Sequence, residues 1–253
     1  MHALAVALPS IRLQPRAIER LFGPQQFATV PNFLDPALVA HLVADVHSLG
    51  ARLTPAAASP AHGSVEWLML SPDAPPQDDS DDADGVRARE ALLTFVDDLQ
   101  RHIESQTGVA LDAHCELKYA HYPCGGRYQK HVDGVAWRSS TVAREYSFLL
   151  YLNDGWLPRD GGHLRVFGIG GDGAHVDIAP AAGTLVVFKS DVVPHEVRPT
   201  FSKRLAIVGW FHRHVEPVEE EDDKELSPLA RAIMEHYRAQ GKDVKVGGGG
   251  EAR

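Results

Sequence analysis

Three residues of the chain have the chemical types of a metal site, namely His131, Asp133 and His195. Two neutral imidazoles and one carboxylate form the facial ligand set that suits ferrous iron and leaves coordination positions open for reactants. The first two residues follow a short aromatic strand-like segment, and Arg204 comes nine positions after His195 (204 − 195). This order of residues predicts an oxygenase.

A histidine two positions before an aspartate occurs at two places in this chain of fourteen histidines, so the surroundings must decide between them. His175 follows a glycine-rich turn and lies twenty residues before His195 (195 − 175), enough for one hairpin. His131 lies sixty-four residues before His195 (195 − 131), which leaves room for several strands to return across a barrel. Residues i and i+2 of a strand share a face, so His131 and Asp133 can reach one ion. We predict that His175 and Asp177 face outward.

The composition limits the class of protein. A chain of 253 residues with 44% hydrophobic residues can bury a sizeable core, and a net charge of −9 argues against binding to nucleic acid through phosphates. Cys115 and Cys124 lack a C-x-x-C spacing and are predicted to be free thiols. The apolar opening segment, residues 3–8, is too short to span a bilayer and has no basic residue before it. We expect a cytoplasmic protein without a membrane partner.

Patterns along the chain predict one main domain with two extensions. Residues 1–26 are an N-terminal extension, and residues 214–253 are an acidic linker followed by a C-terminal helix and tail. The main domain, residues 27–213, has two parts. Residues 27–110 are predicted to form a helical cover and lid, and residues 111–213 a β core.

Short strands dominate the second part. About seven apolar segments are separated by Gly, Pro and Asp turns, with no helix alternating between them, which favours a sandwich or jelly roll over a parallel α/β fold. In the cover, helical spacing of apolar residues starts after a predicted N-cap at Asp35 and recurs over Val86 to Ser105. We therefore expect a mostly β protein with helices packed on one sheet.

An aspartate-rich segment, residues 73–84, precedes the second helix. Its simplest interpretation is a solvated acidic loop. The functional alternative is a lid or substrate-facing arm whose six negative charges would favour a basic or neutral peptide.

Several motifs occur in register along the chain. They are Tyr119-Ala120-His121-Tyr122-Pro123, His131-Val132-Asp133, Tyr151-Leu152-Asn153, Gly161-Gly162-His163-Leu164-Arg165-Val166-Phe167, Pro194-His195-Glu196-Val197 and Arg204-Leu205-Ala206-Ile207-Val208-Gly209-Trp210-Phe211. Together they resemble the prolyl 4-hydroxylase branch of the iron(II)- and 2-oxoglutarate-dependent dioxygenases, most closely the bacterial and animal oxygen-sensing type of protein prolyl hydroxylase. The resemblance covers residues 27–213.

The resemblance implies a double-stranded β-helix, or jelly roll, in which His131, Asp133 and His195 hold iron(II). It implies that Arg204 pairs with the far carboxylate of 2-oxoglutarate, helped by Tyr151, with Tyr122 lining the same pocket. O2 is the second cosubstrate, and ascorbate is expected as a reductant. Arginine suits this role because its charge is permanent and its fork matches a carboxylate.

The substrate stays open among three classes at this stage. The resemblance favours hydroxylation of a prolyl residue in a translation factor or ribosomal protein, with release of succinate and CO2. The alternatives are an oxygenase for a free amino acid or small metabolite, and a catalytically silent module that binds a protein. Trp67 and Trp210 are predicted to be packing residues, although Trp67 can border a substrate groove.

Overall fold

The strands form two main antiparallel sheets, one of which is covered by helices, and one further two-stranded pair. The computed structural model describes residues 15–55, 64–70, 83–113, 115–136, 141–168, 174–216 and 245–246. Its helices are α1 (Pro15–Phe22), α2 (Pro36–Ser48) and α3 (Ala83–Thr107). Its strands are β1 (Phe27–Val30), β2 (Thr54–Pro55), β3 (Glu66–Met69), β4 (Cys115–Tyr122), β5 (Tyr128–His131), β6 (Val135–Ala136), β7 (Val142–Tyr151), β8 (Leu164–Phe167), β9 (His175–Ile178), β10 (Leu185–Lys189), β11 (His195–Val197), β12 (Arg204–His214) and β13 (Lys245–Val246).

The major sheet has seven strands in the order β1-β10-β7-β12-β4-β3-β2. Its central strands alternate apolar side chains on both faces, as expected for a sheet that is covered on both sides. One face packs against the three helices. This outer core includes Leu42, Leu92, Leu99, Tyr119, Phe148 and Ile207, all of which are buried.

The minor sheet has four short strands in the order β5-β11-β8-β9 and faces the other side of the major sheet. The inner core fills the space between the sheets and includes Ala120, Tyr122, Tyr151, Val166, Phe188 and Ala206. Two antiparallel sheets around one core are the jelly roll that the sequence predicts, so the predicted fold class is confirmed.

Several local predictions are also confirmed. The Asp35 carboxylate accepts a hydrogen bond from the Ala37 N–H and caps α2, with Pro36 at the first helical position. Gly108, at φ +71°, follows the end of α3. Cys115 and Cys124 are free thiols. The structure adds α1 within the predicted N-terminal extension and β1 at the start of the predicted main domain.

Other predictions fall outside the described residues. These are the C-terminal helix near residues 228–240 and nearly all of the aspartate-rich segment, of which only Ala83 and Asp84 are described, as the first residues of α3. Among the helices that the structure describes, none is both long enough and apolar enough to cross a bilayer.

Candidate metal centre

The structure brings His131, Asp133 and His195 together between the two sheets. His131 ends β5 and His195 begins β11, and the two histidines are direct partners in the antiparallel pairing of these strands. Asp133 lies just beyond β5, in a turn fixed by a hydrogen bond of 2.9 Å from its N–H to the Ser190 carbonyl. One ligand atom from each residue lies within 4.8 Å of the others. This spacing fits a single bound ion.

Backbone carbonyls orient both imidazoles. The Nδ1 of His131 lies 2.7 Å from the Gln129 carbonyl, and the Nδ1 of His195 lies 3.1 Å from the Val193 carbonyl. Each Nδ1 therefore donates its proton, and each Nε2 keeps its lone pair. The two Nε2 atoms lie 3.1 Å and 3.7 Å from Asp133 Oδ1. Burial, helped by the neighbouring His131, lowers the pKa of His195 to about 4, so this imidazole is neutral at pH 7.

The second carboxylate oxygen of Asp133 is occupied from the major sheet. Ser147 Oγ donates to Asp133 Oδ2 at 2.8 Å, and the indole Nε1 of Trp210 donates to the same atom at 3.0 Å. Burial alone would raise the pKa of Asp133, but the two neighbouring histidines and the Arg144 guanidinium hold it well below its usual range. Asp133 is thus an anion with Oδ1 alone turned toward the imidazoles.

Arg204 is a buried cation beside this centre, on the inner face of the major sheet. It begins β12 and is 2% exposed. Its Nε donates to the Gly162 carbonyl at 2.8 Å, but Nη1 and Nη2 are buried without a hydrogen-bond partner. Gly162 adopts φ +72°, and a Cβ there would lie 2.9 Å from Arg204 Cδ, so glycine lets the backbone approach the guanidinium.

Two tyrosine rings flank the same guanidinium. Its Cζ lies 4.9 Å from the centre of the Tyr122 ring and 5.0 Å from that of Tyr151. The Tyr151 hydroxyl is buried and has no hydrogen-bond partner. Burial raises the pKa of both phenols, that of Tyr122 to about 12, so both stay protonated.

The unpaired polar atoms test whether a dicarboxylate fits. A buried guanidinium with two free nitrogens is costly unless an anion pairs with it. Arg204 Nη1, Arg204 Nη2 and the Tyr151 hydroxyl are all donors, and a carboxylate accepts from such a set. The residues present therefore fit both iron(II) and the far carboxylate of 2-oxoglutarate. The assignment of individual residues to these roles remains a prediction.

The alternative histidine–aspartate pair lies elsewhere, as predicted. His175 and Asp177 are exposed on β9, the edge strand of the minor sheet. Both Asp177 oxygens accept hydrogen bonds of 2.7 Å from Arg165 on β8. This pair is a surface feature of the sheet edge.

The sequence analysis missed the residues that hold Asp133. Trp210 was predicted to pack, and its ring does lie in the interior, but its indole nitrogen also binds the candidate ligand. Ser147 carried no signal beyond being a polar residue directly before the apolar end of its strand, Phe148 to Leu150. A buried serine in such a strand needs a hydrogen-bond partner, and that is the clue which could have identified it.

A second cationic group lies at another part of the inner face. Lys118 Nζ lies 3.6 Å from the centre of the Trp67 ring and 4.6 Å from that of Trp210. Arg144 also contacts the Trp210 ring, at 3.9 Å, but it forms a two-pronged ion pair with Glu116 at 3.0 and 2.6 Å. We call these five residues the indole–lysine cluster.

Comparison with known proteins agrees with this geometry. Residues 117–212 match the model of the 2OG-Fe(II) oxygenase superfamily. A Pseudomonas putida prolyl-4-hydroxylase of known structure is 32% identical, with a TM-score of 0.66 over 79% of this chain and 98% of that one. A Trichoplax adhaerens prolyl hydroxylase, solved with a hypoxia inducible factor peptide, shares the fold at 20% identity and a TM-score of 0.61, over 77% of this chain and 86% of that one.

Curated relatives match over a shorter length. The Caenorhabditis elegans hypoxia-inducible factor prolyl hydroxylase is 34% identical over 47% of this chain and 16% of its own length. Human Egl nine homolog 1 is 35% identical over 47% of this chain and 28% of its own length.

The fold and the site together define an oxygenase domain of the non-haem iron class. The chain belongs to the 2OG-Fe(II) oxygenase superfamily, in its prolyl 4-hydroxylase branch.

Proposed function

We propose that this protein is an iron(II)- and 2-oxoglutarate-dependent dioxygenase that hydroxylates a prolyl residue of a protein substrate. The observation that carries this proposal is the presence of two features around the same inner core. One is the facial set of His131, Asp133 and His195, and the other is Arg204, a buried cation with two unpaired nitrogens.

The chain's own groups account for binding and orientation. His131 and His195 present Nε2 lone pairs, and Asp133 presents Oδ1, so these three groups would hold iron(II) and would leave coordination positions for reactants. Arg204 and Tyr151 receive the far carboxylate of 2-oxoglutarate and thereby fix the direction of its keto acid end. The apolar inner core around them excludes water.

The bound iron, with 2-oxoglutarate and O2, supplies the oxidising chemistry that inserts one oxygen atom into a substrate C–H bond and yields succinate and CO2. Because Asp133 supplies a carboxylate to the ligand set, a halide ion cannot take its coordination position, and halogenation of the substrate is disfavoured. Hydroxylation is the reaction that this ligand set favours.

A protein substrate is supported by the relatives. The 32% identical Pseudomonas putida protein is described as a prolyl-4-hydroxylase, and the Trichoplax adhaerens protein was solved with a peptide. We therefore assign a protein substrate to this chain, and we propose that its target is an extended prolyl segment of a translation factor or ribosomal protein.

The test is an incubation of the iron-loaded protein with 2-oxoglutarate and a whole-cell lysate, followed by proteomics for prolyl residues that gain one oxygen. We expect a small set of modified sites that requires both additions and is lost in Arg204→Ala. Succinate formation with an oxidised free amino acid, and no modified protein, would instead favour a small-molecule oxygenase.

A further inference from the structure

The indole–lysine cluster places one positive charge at the active site without a matching negative charge. The Lys118 side chain is partly buried, and its ammonium group makes no hydrogen bond or ion pair with any residue that the structure describes. Its recorded contacts are the faces of Trp67 and Trp210. Contact with an aromatic face stabilises an ammonium group only partly, because the ring carries no net charge.

The nearby carboxylates are already used. Glu116 accepts two hydrogen bonds from Arg144 and one of 2.8 Å from His212. Asp133 is held by Ser147 and Trp210 on one oxygen, and its other oxygen faces the two imidazoles where an ion would bind. Lys118 therefore has no counter-charge of its own, and an incoming anion would supply one.

Lys118 lies on the same face of the major sheet as Arg204 but away from the candidate 2-oxoglutarate pocket. On β4, Tyr122, Ala120 and Lys118 alternate along the inner face, and the first two belong to the inner core. Tyr122 pairs with Arg204 on β12, whereas Lys118 pairs with Val208, four residues further along that strand. The candidate cosubstrate end and the indole–lysine cluster thus lie at two separate places on the same face. Trp210 connects the cluster to Asp133 directly.

We propose that Lys118, between Trp67 and Trp210, is a binding site for a carboxylate group of the substrate. The ammonium pairs with the carboxylate, and the two indoles hold the lysine in place and cover the apolar part of the substrate. This inference rests on the oxygenase chemistry of the proposed function and narrows its substrate class to carboxylate-bearing molecules. The carboxylate belongs to an Asp or Glu residue close to the target proline if the substrate is a protein, as proposed, and it is the α-carboxylate of a free amino acid if the small-molecule alternative holds.

The experiment measures binding to protein loaded with Mn(II) and 2-oxoglutarate, so that no turnover is needed. The first probes are N-acetylated, C-amidated pentapeptides with a central proline and either Glu or Gln at one flanking position. The second probes are L-proline and L-prolinamide, which differ only in the α-carboxylate. Isothermal titration gives each Kd for the wild type, Lys118→Met, Lys118→Arg and the control Lys203→Met, which removes an exposed lysine that precedes β12 and contacts His47 on α2.

We expect at least one Glu peptide, or L-proline, to bind the wild type about tenfold more tightly than its uncharged partner. The preference should vanish in Lys118→Met and persist in Lys118→Arg and Lys203→Met. The pair of probes that shows this preference, either the peptides or L-proline and L-prolinamide, identifies the source of the carboxylate. Thermal melting confirms that each variant is folded.

Equal affinity of the wild type for charged and uncharged probes would overturn the carboxylate site, as would a preference that survives in Lys118→Met. Tighter binding of the Gln peptides would also overturn it and would match the charge of the aspartate-rich segment. Uncoupled turnover of 2-oxoglutarate by the wild type is measured in parallel. Its absence contradicts the proposed function, whereas its presence with no carboxylate preference contradicts only the role of Lys118.

Discussion

Two cations on one face of the major sheet are in different surroundings. Arg204 is almost completely buried, donates one hydrogen bond to a backbone carbonyl and lies between two tyrosines. Lys118 is partly buried between two indoles and has no polar contact among the described residues. The first environment fixes a planar fork for one defined carboxylate, and the second presents a compact point charge that does not require one fixed orientation of its partner. The difference suggests a constant cosubstrate at one end and a chain-specific substrate at the other.

Removal of a metal ligand should have the largest effect, because both the use of 2-oxoglutarate and the oxidation of the substrate depend on the proposed ion. We expect His131→Ala or His195→Ala to abolish tight Mn(II) binding in isothermal titration and to eliminate 2-oxoglutarate turnover. His175→Ala, on the exposed edge strand, is the matched control and should leave both intact. Equal losses in His131→Ala and His175→Ala would contradict the choice of site.

Removal of the buried arginine should affect the binding of 2-oxoglutarate but not the binding of the metal ion. We expect Arg204→Ala to weaken 2-oxoglutarate binding by about tenfold to a hundredfold or more, since a buried charged hydrogen bond is worth roughly 1.5 to 3 kcal/mol. Mn(II) affinity should stay unchanged, because Arg204 contacts no candidate ligand in the described structure. Lys203→Ala, at the exposed neighbour, is the control. An unchanged Kd for 2-oxoglutarate in Arg204→Ala would refute the cosubstrate assignment.

Loss of the groups that hold Asp133 should have a smaller effect. We expect Trp210→Phe and Ser147→Ala each to weaken Mn(II) binding about tenfold, because each removes one hydrogen bond to Asp133 Oδ2. Trp210→Phe should also loosen the indole–lysine cluster, whereas Ser147→Ala should not. The comparison of Mn(II) and peptide affinities in the two variants therefore separates metal orientation from substrate binding.

The last prediction concerns the free energy of unfolding in acid and not the affinity for a ligand. Burial alone would raise the pKa of Glu116, but hydrogen bonds from His212 and Arg144 lower it to about 2 from its ordinary value of 4.5. The ionised carboxylate thus stabilises the fold above pH 4.5, and this contribution is lost as the pH falls toward 2.

Chemical denaturation at pH 7 and at pH 3 measures this contribution. We expect Glu116→Gln to lose about 2 kcal/mol of unfolding free energy at pH 7 and less at pH 3. The control Glu196→Gln, whose partner Arg198 is well exposed, should lose less than about 1 kcal/mol at pH 7. An equal loss in Glu116→Gln at both pH values would show that its charge does not stabilise the fold.

Much of the fold was predictable from the sequence because its strands carry strong local signals. The helix predicted over Val86 to Ser105 differs from α3 by only a few residues at each end. The prediction also brought His131 and His195 to one site across sixty-four residues, through the resemblance to a family and through the room for intervening strands. Asp133, however, was expected to continue the strand and lies instead in a turn beyond β5.

The contacts between distant strands could not be predicted. The sequence motifs include Trp210, but its hydrogen bond to Asp133 depends on how β12 and the turn after β5 meet across the barrel. Lys118 lies within an identified strand, and only the pairing of β4 with β3 and β12 brings it between two indoles. Such contacts follow from strand register, which local patterns do not specify.

The direct pairing of His131 with His195 also has a consequence for folding. A bound ion would join two short strands of the minor sheet at their point of contact and would close a long loop of chain between them. A shift of one residue in this pairing would turn one imidazole away and leave the ion with two ligands. Metal affinity in this protein is therefore a measure of correct strand alignment, and part of the binding free energy is folding free energy of the minor sheet.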